Sequence, residues 1–426
     1  MVVTVRTSLA RDRRGAVAIL FALAMPVLIG FLALGTEVGV WYLERRQMQT
    51  AADMAAIAGA YERLAGSDDE VATAEQEAAH LGFSSADGRT TVAVNWPPTQ
   101  GTAAEDDAAV EVVITRTRAL LFAAMFSADP VAISVRATAR MDGTSTACVL
   151  ALDPTAYRAV DVTGTADLSM PTCTLAANST DAEAIAIRGN ADVEALTLTT
   201  SGDYAVSGSG TLTTGTPPRT GVPPLLDPYA DRPLPPGSPC TQTSYQRTQS
   251  SPVTIAPGRY CSGMSFGAQS VVDFSPGTYV VDGGSVTINA GATLSCSGCT
   301  GGQGVTIVLT GSGSDYATVR INGDATITLA APTSGSYAGL LFFQDPAAPS
   351  GGSNLFNGGA AMSLTGALYF PNQSIAFRGN TASAKSSCTQ LVGRLVSFTG
   401  TASIGSNCDD TGVETINAGG TIRLVD

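Results

Sequence analysis

The chain has 426 residues, with 36 acidic and 23 basic side chains and a net charge of -13. A nucleic-acid binder needs a basic face, and this acidic chain shows none. Arginine outnumbers lysine 22 to 1, Lys385 being the one lysine, which reads as base composition rather than function.

Residues 1–14 form a basic head with Arg6, Arg11, Arg13 and Arg14 against Asp12. From Gly15 to Thr36, through Pro26, no charge occurs, and Glu37 ends the run. As a helix these 22 residues reach about 33 Å, enough to cross a hydrocarbon core. The basic flank predicts a cytoplasmic N-terminus and an exported body, periplasmic or surface-facing. Trp41 and Tyr42 stand where an interfacial aromatic belt belongs. Gly15, Pro26, Thr36, Trp41 and Tyr42 thus mark a single-pass membrane anchor. A cleaved signal peptide is the competing reading, but its apolar region is shorter, about 7–15 residues.

The helical pattern runs on through Arg45 to Ala60 without proline, so one helix is expected over 15–64. Its alanine-rich face suits close packing, either on another helix or on its own domain. A second, acidic helix is expected over 68–82, with Val71, Ala74, Ala78 and Leu81 at helical spacing. Alternating strands follow at 91–94, 109–115 and 133–139, with a short apolar helix over 119–126. Residues 65–143 therefore read as a small membrane-proximal α+β unit. His80, the single histidine, reads as a surface or cap residue and a poor catalytic candidate.

One combination here is specific. Arg-Arg-Gly-Ala-Val-Ala-Ile at 13–19, a proline-containing apolar span, and Arg-Arg-x-Met-Gln-x-Ala-Ala-Asp-x-Ala-Ala at 45–56 together resemble the N-terminal segment of TadG-like proteins. These belong to the bacterial tight-adherence (Flp-type) pilus assembly system. The related TadE-type pseudopilins have a prepilin-like site with glutamate five residues after glycine. Here Leu20 stands at that distance from Gly15, which implies the TadG type with its anchor kept. The resemblance implies a role in pilus assembly, with the inner membrane and other pilus-assembly proteins as partners. Pro-Gly-x-Tyr and Thr365-Gly-Ala-Leu-Tyr-Phe-Pro371 resemble the exported part of longer TadG-like proteins.

Beyond 144 the texture turns to Gly, Ser, Thr and Val. A phrase of apolar, any, Gly, any, small, any, apolar recurs: Val162 to Leu168, Ile187 to Val193, Val206 to Leu212, Ile321 to Ile327 and Phe398 to Ile404. Pro-Gly-x-Tyr occurs at 257–260 and 276–279. Glycine steps of 25 and 19 residues, from 164 to 189 to 208, predict a solenoid. The period-two pattern with a narrow inner face makes it an all-β parallel β-helix over 144–214 and 241–426. A β-sandwich is the alternative. Between these parts, 215–240 holds nine of the 22 prolines. It reads as an extended strap that separates two subdomains or wraps the solenoid.

All eight cysteines lie here: Cys148, Cys173, Cys240, Cys261, Cys296, Cys299, Cys388 and Cys408. An even count in an exported body predicts disulfides. Connectivity stays open among 105 possibilities, of which the sequential one closes short loops. Cys296-Ser-Gly-Cys299 has redox or half-zinc spacing, yet lacks a βαβ context and further ligands, so a structural disulfide is expected.

Catalysis has thin support. Asp167 and Asp192 share the sixth slot of the phrase, and adjacent coils would bring them about 4.8 Å apart, as a carboxylate pair or weak calcium site. Thr211, Thr326 and Ser403 fill that slot elsewhere, so a solvated face is expected. Some TadG-like proteins carry a von Willebrand A-type metal motif. Asp161-Val-Thr163-Gly-Thr165 approaches it but lies inside the repeat. No catalytic, cofactor-binding or metal residue is assigned and no cofactor is expected. The sequence reads as a non-enzymatic membrane-anchored scaffold. A secreted adhesin binding surface glycan or matrix, and a polysaccharide-active enzyme, are the alternatives.

Overall fold

The computed structural model describes residues 16–65, 69–125, 129–142, 145–357, 361–378, 388–405 and 407–426. The basic head 1–14, Gly15, the starts of the expected repeats and acidic helix, Phe126 and Lys385 lie outside them. Two compact units result, one from the residues up to Asp142 with Thr421–Asp426, the other from 143–420.

The first unit is organised by helix α1, Ala16–Ala65, about 75 Å long at the usual rise. Its first half is exposed on all sides: Val17, Leu20, Phe21, Leu23, Phe31 and Leu32 each keep more than half their surface. Its second half is one-sided. Met48, Ala51, Ala52, Ala55, Ala56 and Ala60 recur every third or fourth residue and are fully buried. They pack on Val110, Val112, Ile114 and Val135. These come from β2 (Ala109–Arg118) and β3 (Val131–Asp142), which pair antiparallel with each other, β2 also pairing with β1 (Thr90–Asn95). Small side chains let the sheet approach the helix closely. At Gly59 a Cβ would meet the Glu70 carbonyl of α2 (Glu70–His80) and Val110, each at 3.2 Å. The alanine face is therefore filled by the protein's own unit.

Two expectations change here. Within the described residues, 119–125 holds only a 3-10 turn, Ala123–Met125. A segment that short does not sustain an α-helix alone. The strand Thr421–Leu424, expected with the repeats, instead pairs antiparallel with β3 at Asp142 to Ala139. Strand β3 would otherwise be a bare edge.

Beyond α1 the protein is mostly β. In the second unit the strands form three parallel ladders. The first runs through Tyr260, Val281, Leu309, Gln344 and onward to Tyr369 and Val392. The second joins Phe266, Ile288, Ile321, Phe356, Phe377 and Phe398. The third includes Val272, Leu294, Ile327 and Met362. Apart from a hairpin at 311–316 and a bridge at Thr146, the described pairings here are parallel.

The stacking order is not the chain order. Thr389–Thr399 pairs onward with Val149–Ala151 and Val160–Val162, which belong to the beginning of this unit. Residues 147–214 thus extend the stack that 242–399 builds. The segment 215–240 must return the chain from one end of the stack to the other, and it does so as an extended strap. Asn178 bonds Leu225 through its carbonyl and amide, both at 2.8 Å. Asp227 accepts from the Tyr369 hydroxyl at 2.9 Å, and the Tyr229 hydroxyl donates to Gln390 at 2.7 Å. Tyr337 donates to the Pro233 carbonyl, and Cys240 ends the strap bonded to Cys261. The strap covers the outer side of the first ladder, where Leu150, Val308, Phe343, Tyr369 and Val392 form an apolar layer closed by Tyr229 and Ile416. That layer explains why Cys148-Val-Leu-Ala151 and Leu340-Leu-Phe-Phe343 are apolar runs instead of alternating: both faces are buried.

The recurring phrase is a corner between the second and third ladders. Its first residue pairs in one (Val162 with Ile187) and its last in the other (Leu168 with Val193). The glycine turns the corner in left-handed conformation, with φ of 77°, 72° and 77° at Gly164, Gly189 and Gly208. Room is also short: a Cβ on Gly208 would meet the Gly189 carbonyl at 2.7 Å. Ser403 departs from the pattern, pairing with Ser169 two residues beyond the expected slot.

Candidate functional site

The junction between the exposed and buried halves of α1 carries two buried carboxylates. Glu37 keeps 2% of its surface and Glu44 keeps 6%. Seven residues apart, they occupy one helix face. Glu37 accepts the backbone N–H of Leu121 at 2.7 Å, Phe122 at 3.0 Å and Ala123 at 2.7 Å. A carboxylate gathering three amides fixes the loop after β2 onto the helix. Glu44 accepts Arg118 at 2.7 Å, and Arg116 lies 3.6 Å away. Arg116 also lies 3.5 Å from Asp87. Arginines two apart on β2 share one sheet face, so strand and helix periodicities meet at Glu44.

Deeper in the unit, Glu111 is fully buried. It accepts from Asn95, from the Thr99 amide and hydroxyl, and from Arg136. Burial pushes its carboxyl up, but these bonds outweigh burial and hold it below the ordinary range.

The sequence-derived anchor residues divide between exposure and support. Pro26 lies inside α1, and Thr36 donates its hydroxyl to the Ala33 carbonyl at 2.8 Å. Tyr42 is 71% exposed, whereas Trp41 is partly buried against the alanine-lined core. His80 is mostly exposed, 3.7 Å from Glu77.

The cysteines form Cys148–Cys173, Cys240–Cys261, Cys296–Cys299 and Cys388–Cys408, the sequential pairs. Asp167 and Asp192 are brought into register on adjacent strands. Both are exposed, and Asp192 accepts the hydroxyl of Thr211, its neighbour on the next paired strand. Thr326 sits opposite Thr293. Asp161 holds Arg188 through two hydrogen bonds, at 2.9 and 2.8 Å, in an ion pair between neighbouring segments of the β unit. Among the described residues no cluster of three or more His, Cys, Asp or Glu side chains could hold a metal.

Sequence reasoning passed over Glu37 and Glu44. The available signal was an acid at the very end of a charge-free run, a second acid seven residues on, and Arg116 and Arg118 alternating along a strand.

Residues 15–62 match the family described as "Putative Flp pilus-assembly TadE/G-like". No curated protein and no solved structure matches the chain. The matched segment ends within three residues of the end of α1. It therefore contains the exposed apolar half, the Glu37–Glu44 junction and the buried alanine face.

Proposed function

We propose that this chain, carrying a TadE/G-like Flp pilus-assembly segment, is a single-pass inner-membrane scaffold of Flp-type pilus assembly. Its second unit is read as a parallel β-helix on the exported side. The observation that carries this is the division within α1: an apolar half with no protein cover, continuous with a half that is the core of a folded unit. Such a helix holds its unit at a membrane surface, a role that differs from that of a cleaved leader. The disulfide-stapled β unit then presents to partner proteins the outer faces that the strap leaves uncovered. The role is non-enzymatic. Among the described residues the in-register pair Asp167 and Asp192 is exposed, and Asp192 already accepts a hydrogen bond.

The test is deletion followed by complementation. Loss of the chain is expected to abolish Flp-type pili on electron micrographs, and the full chain is expected to restore them. A version in which a cleavable leader replaces 16–36 is expected to fail. Normal piliation without the chain, or full rescue by the released version, would overturn the reading.

A further inference from the structure

We infer that the loop Ala119–Met125 is a second membrane contact, a wedge of apolar side chains that enters the same leaflet in which the apolar half of α1 ends. This rests on the anchored reading above. Leu121, Phe122 and Met125 are 61%, 49% and 85% exposed, within a five-residue stretch lacking any charge. Single exposed apolar residues are ordinary, but three together on one loop mark an interaction surface. Their position identifies the partner. The loop's backbone is tied by three hydrogen bonds to Glu37, the first charged residue after the apolar run. Helical side chains lean toward the helix N-terminus, so the Glu37 carboxylate reaches back toward the run. The loop is thus fixed at the level where the apolar surface of α1 ends.

The flanking chemistry fits an interface. Arg116 and Arg118 lead into the loop, and Tyr42 and Leu43, 71% and 57% exposed, stand one and a half helical turns beyond Glu37. Basic and aromatic groups settle at headgroup depth while apolar ones go below it. The occupant is therefore lipid. Glu37 acts as the positioning residue: it satisfies three loop amides that acyl chains could not. Two points of contact would also limit tilting of the unit on its single helix.

The test uses the full chain in lipid nanodiscs, with the photo-crosslinking residue p-benzoylphenylalanine placed at position 122, 125, 32 or 61. Position 32 lies within the apolar run. Tyr61 is exposed on the same helix, about 36 Å farther along from Glu37. Lipid adducts at 122, 125 and 32 with none at 61 are expected, and Glu37→Ala is expected to deplete the adducts at 122 and 125 alone. Adducts at 32 but none at 122 or 125 would overturn the wedge and leave the anchor intact. Protein adducts in place of lipid at 122, from nanodiscs made with cell membranes, would also overturn it. No lipid adduct even at 32 would overturn the anchored reading and the wedge with it.

Discussion

In the helix-bearing unit the interior is built from alanine and small aliphatics, and the acids Glu37, Glu44 and Glu111 are buried within it. In the β unit the interior is aromatic and branched, with Phe356, Phe377 and Phe398 stacked along one ladder, and the staples are covalent. The difference follows from how each closes its structure. A long helix crossing a sheet contacts it closely only through small side chains, which bury little apolar area, so buried ion pairs and carboxylate–amide bonds supply the specificity. Parallel ladders have room for large side chains, but they join residues far apart in sequence, and loop closure makes that costly. Disulfides closing loops of 20 to 25 residues reduce that cost in the unfolded chain.

Reduction should separate the two most strongly. Each of the three disulfides that close loops of 20 to 25 residues contributes about 3 kcal/mol in the chain-entropy account. Cys296–Cys299 closes a far shorter loop and contributes less. Hydrogen exchange of the full chain with and without reductant should show accelerated opening across the ladders and unchanged protection in α1, β2 and β3. Equal acceleration in both units would contradict the division.

Phe356→Ala should cost about 3–5 kcal/mol, because the Phe342, Phe370 and Phe377 rings around it leave a cavity that cannot collapse. The loss should appear as a lower denaturation midpoint for the β unit alone. Glu44→Ala, which leaves Arg118 unpaired and Arg116 with Asp87 alone, should cost about 2 kcal/mol, less than breaking a fully buried pair. Its effect should be confined to the helix-bearing unit. A cost above that of Phe356→Ala would mean that ion pairing, not packing, dominates the molecule.

The smallest effect is one of sign. Glu111 is held below its ordinary value, so its contribution is present above the ordinary carboxylate range and lost as pH falls through the lowered value. Asp227, under the strap, is pushed up by burial. Its contribution is fullest below the ordinary range and is lost as pH rises through the raised value. Against the parent protein, Glu111→Gln should lose less at acidic pH than at neutral pH. Asp227→Asn should gain as pH rises from acidic to neutral. Denaturation midpoints across that range check both, and slopes of one sign would contradict the assignment.

What the sequence revealed follows local physics. The apolar run, the helix that continues from it and the Gly-containing corner phrase were legible because each depends on neighbours within a few residues. The stacking of Thr389–Thr399 on Val149–Ala151 was not legible, since nothing local records that the chain begins its stack in the middle. The return of Thr421–Leu424 to β3 was hidden for the same reason. The two-sided burial of Leu340–Gln344 was not legible, because its second face is covered by Tyr229 and Ile416, remote in sequence. Glu37 looked like the end of an apolar run, and only the fold brings Leu121–Ala123 to it.

The central claim is that α1 stays attached and holds both units on the exported side of the inner membrane. Fractionation of the tagged chain, with intact mass and protease protection, tests it most directly. The account predicts a full-length chain in the inner-membrane fraction, cleaved by added protease only after the outer membrane is opened. A mature form lacking roughly the first 30–40 residues, found outside the membrane fraction, would contradict it.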